Sequence, residues 1–146
     1  MTRAAGTSDC TVAAKAVAAI RSASNQWNAR MSFPSGLVGL VGVAQGDTEE
    51  DVRYLVDKTI GLRIFPDDSG KFNRSLADVG GSLLLVSQFT LISDTKKGKR
   101  PSFIGAAGPA EAETLFNRCV ELARATGTKV ETGRFQAHML VEIHND

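Results

Sequence analysis

Cysteine is nearly absent: Cys10 and Cys119 are the whole complement, and they form neither a metal-ligand spacing nor a disulfide framework. A reducing compartment is the simplest setting for such a chain. Charge of one sign is also lacking, since 17 Lys and Arg stand against 16 Asp and Glu, a formal net charge of +1. Overall electrostatics therefore give no support for nucleic-acid binding, and any phosphate contact has to come from a local patch. No apolar run approaches the roughly 20 residues of a membrane-spanning helix, so no membrane partner is expected. Histidine is confined to His138 and His144. The common catalytic signatures are missing as well: there is no phosphate-binding glycine loop, no dinucleotide fingerprint, no zinc spacing and no G-x-S-x-G turn.

What is present fits one globular domain. The 146 residues are 42% hydrophobic and 23% charged, ordinary values for a chain long enough to bury a real core. Residues 1–35 differ in character. They carry Arg3, Lys15, Arg21 and Arg30 against one acid, Asp9, among many Ala and Ser. Three readings fit that composition: an organelle transit peptide, an Ala-rich helix over Thr11–Ser24, or a misplaced gene start. The domain is expected over residues 36–146, with 1–35 a divergent segment, helical or transit-like.

From Gly36 the pattern is clearer. Gly36–Val43 is an apolar run suited to a buried strand. Gln45-Gly46-Asp47 is a turn, and Asp47 with Glu50 three residues later is a helix-start signature. Val52, Leu55, Val56 and Ile60 then recur at helical spacing, with Gly61 as the stop. Leu62–Phe65 reads as a short strand and Ser82–Phe89 as the most apolar one. In the latter the unbroken Leu83–Val86 implies that both faces are covered. Ser93–Pro101 is a polar loop. Pro109 suits a first helical position, Leu115, Phe116, Cys119, Val120, Leu122 and Ala123 form the apolar stripe, and Gly127 ends that helix. Phe135, Ala137, Met139, Val141 and Ile143 alternate as in a half-buried strand, with His138 and His144 on its other face. His138 is a candidate general base, although a lone strand histidine is more often structural. The order of elements predicts an α/β or α+β single domain, mostly antiparallel β layers with two main helices.

The informative segment is Gly80–Phe103, GGSLLLVSQFTLISDTKKGKRPSF. Here Ser87 and Gln88 interrupt an apolar strand. Buried hydroxyl and amide groups are costly unless hydrogen-bonded, so polar groups at a strand end suggest a pocket. A side-chain amide and nearby backbone N–H groups suit a developing oxyanion; the plainer alternative is that Ser87, Gln88 and Thr90 satisfy local backbone. Ser87-Gln88-Phe89-Thr90-Leu91, the preceding GGSLLLV and the following Asp94–Phe103 resemble the signature of the D-aminoacyl-tRNA deacylase family. So do GVAQGDTEED and LRIFPDDSGKFNRSL upstream, and Glu131–Phe135 with Ala137-His138-Met139 downstream. The resemblance runs from about Gly36 to Asp146.

That resemblance implies a carboxylic ester hydrolase that releases D-amino acids from mischarged tRNA, a proofreading step of translation. It implies an RNA-binding cytoplasmic homodimer (organellar, if residues 1–35 are a transit peptide) whose substrate is tRNA carrying a D-amino acid or glycine, with no DNA partner, no metal and no organic cofactor. By resemblance Ser87, Gln88, Phe89 and Thr90 form the catalytic centre. Phe135 and Met139 pack around the terminal adenosine and the aminoacyl group, with Ala107 a further contact. Thr90 has a hydroxyl, but the motif offers no base to activate it, and an attacking water assisted by the 2′-hydroxyl of the tRNA is the favoured chemistry. Lys96, Lys97, Lys99 and Arg100 are candidate contacts to tRNA phosphates; an ordinary solvated loop is the alternative. Family members continue beyond the position of Asp146 into a Gly-Pro pair that filters chirality. The expectation drawn from its absence here is a catalytically impaired or truncated relative acting as a tRNA- or partner-binding protein, as the alternative to the active enzyme.

Overall fold

The computed structural model describes residues 10–13, 16–22, 28–30, 36–96 and 98–145, with side chains for 36–96 and 98–141. Strand β4 (Gly36–Val41) occupies the middle of the molecule. It pairs in parallel with β7 (Ser82–Ser87) in unbroken register from Gly36↔Ser82 to Val41↔Ser87. Strand β8 (Lys129–Thr132) extends the sheet in parallel beyond β7, and β1 (Cys10–Ala13) closes the other side antiparallel to β4. Parallel neighbours need crossovers. The first runs through helix α1 (Glu49–Gly61) and a hairpin of β5 (Phe65–Pro66) and β6 (Phe72–Arg74), the second through helix α2 (Pro109–Ala125).

Side chains alternate along each strand, and the two faces meet different layers. Leu37, Val41, Leu83, Leu85 and Val130 join Val52, Val56, Ile60, Phe116, Cys119, Val120 and Ala123 in the main core beneath the helices. The opposite face presents Val38, Leu84 and Val86, packed by Leu40 and Met139. Met139 opens β9 (Met139–Asn145), which belongs to a separate antiparallel sheet with β2 (Ala16–Ser22) and β3 (Asn28–Arg30), in the order β3-β2-β9. Helices, a mixed sheet and a second sheet thus form stacked layers of one domain. The expected two helices and predominance of antiparallel pairs are present, although the central pairs are parallel.

Several local expectations are corrected. Thr11–Ser24 contains no described helix; Cys10–Ala13 and Ala16–Ser22 are strands. Ala favours helix only weakly, and β2 is committed by seven register partners on β9, from Ala16↔Asn145 to Ser22↔Met139. The cap of α1 is Thr48 rather than Asp47: the Asp51 carboxylate accepts the Thr48 N–H and hydroxyl, both at 2.8 Å, and Asp47 instead accepts the Ala44 N–H at 2.8 Å to close the turn. Strand pairing begins only at Phe65, not Leu62, and β7 ends at Ser87 rather than Phe89. Phe135 and Ala137 precede β9; the chain bends there, with Gln136 at φ 56. Pro109 does open α2, whose last residue is Ala125, and Gly127 follows two residues on in the left-handed region (φ 86).

Exposed turns are tied by carboxylates, and this gives stability a pH dependence. Hydrogen bonds from Ser69 and then Lys71 hold Asp67 below its ordinary value. Those from Thr48 do the same for Asp51 and those from Ser75 for Asp78, while Arg118 and Arg53 lower Glu49. Carboxylates lowered in the folded state stabilise it above their unfolded pKa, about 3.9–4.3, and lose that contribution as pH falls through the lowered folded values. The melting temperature should accordingly vary little for these groups between about pH 7 and 5 and drop below about pH 4. A melting temperature unchanged down to about pH 3 would contradict the assignment of these bonds.

Candidate active site

The site is built where β4 and β7 end together. The Gln88 N–H still donates to Val41 O (2.8 Å), extending the pairing one step past β7. The chain then turns over as a short 3-10 segment, Phe89–Leu91, with Leu91 N–H to Gln88 O (3.3 Å) and Ile92 N–H to Phe89 O (3.0 Å). Gly42 makes room for this turn: a Cβ there would lie 3.1 Å from Ile92 side-chain carbons and 3.2 Å from Gln88 O. The Phe89 and Thr90 N–H groups open the segment and have no carbonyl within it to satisfy them.

Two further segments complete the walls. Residues after the polar loop return beside the chain that follows β4, with Ala107 N–H to Val43 O and Gln45 N–H to Gly105 O, each 2.9 Å. This lays Ala106, Ala107 and Pro109 along one side. The other side follows β8: Gly133 N–H donates to Leu85 O (3.1 Å), the chain bends through Gln136, and the Met139 sulfur accepts the Arg134 N–H at 3.3 Å. Phe135 rests on Phe116 of the core, ring centroids 6.3 Å apart. Between these segments lies an open cavity of about 730 Å³, within the range of small-molecule sites.

Six of the expected residues line it: Ser87, Gln88, Phe89, Ala107, Phe135 and Met139. Thr90 lies one step beyond, where its Oγ1 accepts a hydrogen bond from the Gln88 side-chain amide. His138 is exposed and does not line the cavity; the side chain of His144 lies outside the described residues. Sequence reasoning missed Val43, Phe103, Ala106, Pro109, Ala112, Gln136 and Ala137 as lining residues. Phe103 had a signal, since it closes the same loop motif, and its ring meets Phe89 edge-on with centroids 5.2 Å apart. The small residues gave none, because their contribution is backbone and space. No lining residue carries a charge or an acid–base group that titrates near neutrality.

The polar loop begins beside this wall. Asp94 and Ser102 pair as an antiparallel bridge (2.8 and 2.9 Å), and Asp94 Oδ1 accepts the Lys96 N–H at 2.8 Å. Lys96, Lys99 and Arg100 are exposed; Lys97 lies outside the described residues. Among the described residues no group of three or more His, Cys, Asp or Glu is arranged to hold a metal, and no helix is long and apolar enough to cross a membrane.

Met139 is held against Gly133, where an added Cβ would stand 2.9 Å from its sulfur. Gly133→Ala is expected to push Met139 into the cavity and lower kcat/KM about tenfold, the equivalent of about 1.4 kcal/mol of positioning. Because a thioether side chain yields easily, the melting temperature should move little. Unchanged kinetics would remove Met139 from the substrate wall.

The sequence profile described as D-Tyr-tRNA(Tyr) deacylase matches residues 9–146, including most of the N-terminal stretch that the sequence reading set apart. A D-aminoacyl-tRNA deacylase of Dehalococcoides mccartyi is 60% identical over 111 residues, 76% of this chain and 72% of that protein. One of Stenotrophomonas maltophilia is 56% identical over 112 residues, covering 76% and 77%. Among solved structures, the c-Myc DNA Unwinding Element Binding Protein superposes with a TM-score of 0.82 at 31% identity, over 94% of this chain and 91% of that one. A probable eukaryotic D-amino acid tRNA deacylase gives a TM-score of 0.77 at 15% identity, over 94% and 93%, a likeness of fold.

Proposed function

The chain belongs to the D-Tyr-tRNA(Tyr) deacylase family, and we propose from this membership and from its cavity that it hydrolyses the ester of D-aminoacyl-tRNA, releasing free D-amino acid and tRNA. The observation that carries the site assignment is the uncharged wall. The cavity gathers an amide, a hydroxyl and aromatic and small apolar surfaces from separate segments, with no carboxylate or histidine among them. Such a wall binds and orients; it does not supply a side-chain general base.

In this reading the aminoacyl ester lies against the turn at Gln88–Thr90, with its carbonyl oxygen facing the Phe89 and Thr90 N–H groups. Water attacks the carbonyl carbon, negative charge gathers on that oxygen, and the ribose oxygen leaves as the bond breaks. The ribose hydroxyl beside the ester is the nearest group able to relay the proton. The Gln88 amide spends one N–H on Thr90 Oγ1 and keeps the second for substrate. Thr90 holds Gln88 in place and is no nucleophile: its described partner is an amide, which cannot take its proton. Phe135, Met139 and Ala107 enclose the terminal nucleoside and amino acid. Selection for the D form comes from steric exclusion of the L side chain.

The family resemblance supports a homodimer, and the exposure of Phe89 (58%) in the cavity wall supports a further surface closing over it. The cytoplasm, where charged tRNA enters translation, is the compartment that fits the bacterial relatives. The direct test is release of labelled D-tyrosine from D-Tyr-tRNA by the purified chain. A folded protein that releases none contradicts the reading.

A further inference from the structure

We propose that the loop between Asp94 and Ser102 is a phosphate clamp that grips the tRNA backbone as its 3′ end enters the cavity, using Lys96, Lys99 and Arg100. The inference rests on the reading of tRNA as substrate and adds to it where and how the polynucleotide is held.

Three observations support it. The first is position. Ser102 closes the loop by bridging to Asp94, and the next residue, Phe103, is a wall of the cavity in edge contact with Phe89. The tip at Gly98 (φ 77) is four residues from either bridge residue, so at full extension it stands no more than about 14 Å from the rim. A chain whose last nucleoside fills the cavity has its preceding phosphates within that reach.

The second is the state of the charges. Four other arginines are engaged: Arg53 and Arg118 bind Glu49, Arg118 also Glu121, Arg74 binds Asp68, and Arg124 donates to Val130 O. Lys96, Lys99 and Arg100 are exposed and have no ion-pair partner among the described residues. The loop's own acid, Asp94, is exposed and spends one carboxylate oxygen on the Lys96 backbone N–H at 2.8 Å, leaving three cations against one acid in the described loop. Three exposed cations without a described ion-pair partner thus fall within five residues at one rim. The third is the chemistry of the cavity itself. Its lining carries no charge, so long-range attraction for a polyanion has to come from outside it, and the loop cations are placed at the rim to supply it.

The test is binding of uncharged tRNA, followed by fluorescence anisotropy over a salt series, for the native chain and for Lys96→Ala/Lys99→Ala/Arg100→Ala. Each phosphate neutralised on a single strand contributes about 0.7 to the slope of log K against log salt. The triple variant should therefore bind at least tenfold more weakly at low salt, with a slope shallower by about 2. The variant Lys96→Arg/Lys99→Arg/Arg100→Lys, which keeps the charge, should bind within about threefold of the native chain, because point charges rather than bidentate geometry are at work. A triple-alanine variant with native affinity and slope overturns the clamp, as does native protein that binds no tRNA. The assay is independent of turnover: salt-sensitive, loop-dependent binding without hydrolysis would leave the clamp standing and sink the enzymatic reading, and the reverse pattern would do the opposite.

Discussion

Replacing Gln88 by alanine should slow single-turnover deacylation of D-aminoacyl-tRNA by about 100- to 1,000-fold, the usual cost of one well-aimed donor at a developing oxyanion. Gln88 sits at the joint of the site. Its backbone N–H anchors the strand end to Val41 O at 2.8 Å, and its carbonyl accepts from Leu91 to close the turn. Its side chain reaches Thr90 and lines the cavity. Alanine keeps both backbone bonds, so the protein should fold normally and lose mainly rate. Thr90→Val removes the hydroxyl but leaves the amide, and should cost less than about tenfold if Thr90 only steadies its neighbour. Equal rates for native protein and Gln88→Ala would take Gln88 out of the reaction. Complete loss in Thr90→Val with intact substrate binding would instead make that hydroxyl the nucleophile.

Phe116→Ala should be the most damaging core change, destabilising the fold by about 3–5 kcal/mol. Phe116 on α2 is 2% exposed and lies in the core shared by both helices and β4, β7 and β8. For a domain of this length that loss corresponds to a melting temperature lower by roughly 6–20 °C. The effect should also reach the site, because Phe116 is the surface on which Phe135 rests, and Phe135 lines the cavity. The surviving folded fraction should show a raised KM. Phe72→Ala is the control: Phe72 is 77% exposed, and its loss should stay within about 0.5 kcal/mol. Similar melting temperatures for native protein and Phe116→Ala would mean that the core is not organised as described.

The sequence showed most clearly what local chemistry decides. Pro109 and Gly127 bracket α2 because one fits a first helical turn and the other the left-handed residue after the last. The unbroken Leu83–Val86 marked a strand covered on both faces. The polar Ser87-Gln88 pair at its end pointed to the cavity before any geometry was known. What stayed hidden depends on distant partners. The Ala-rich β2 looks helical until its pairing with β9 is seen. Strands β6 and β8 are short, and β8 owes its place to β7. Phe135 and Ala137 alternate like strand residues, yet they lie on the bend around Gln136 and face the cavity from there. The parallel register of β4 and β7, which brings Val41 and Gln88 together, depends on the crossover through α1 and the β5–β6 hairpin and is written in no single segment.

The most direct measurement is single-turnover hydrolysis of D-Tyr-tRNA and L-Tyr-tRNA by the purified chain, side by side. The account predicts rapid release of D-tyrosine and little release of the L form. Equal release of both, or release of neither by a folded protein, would contradict it.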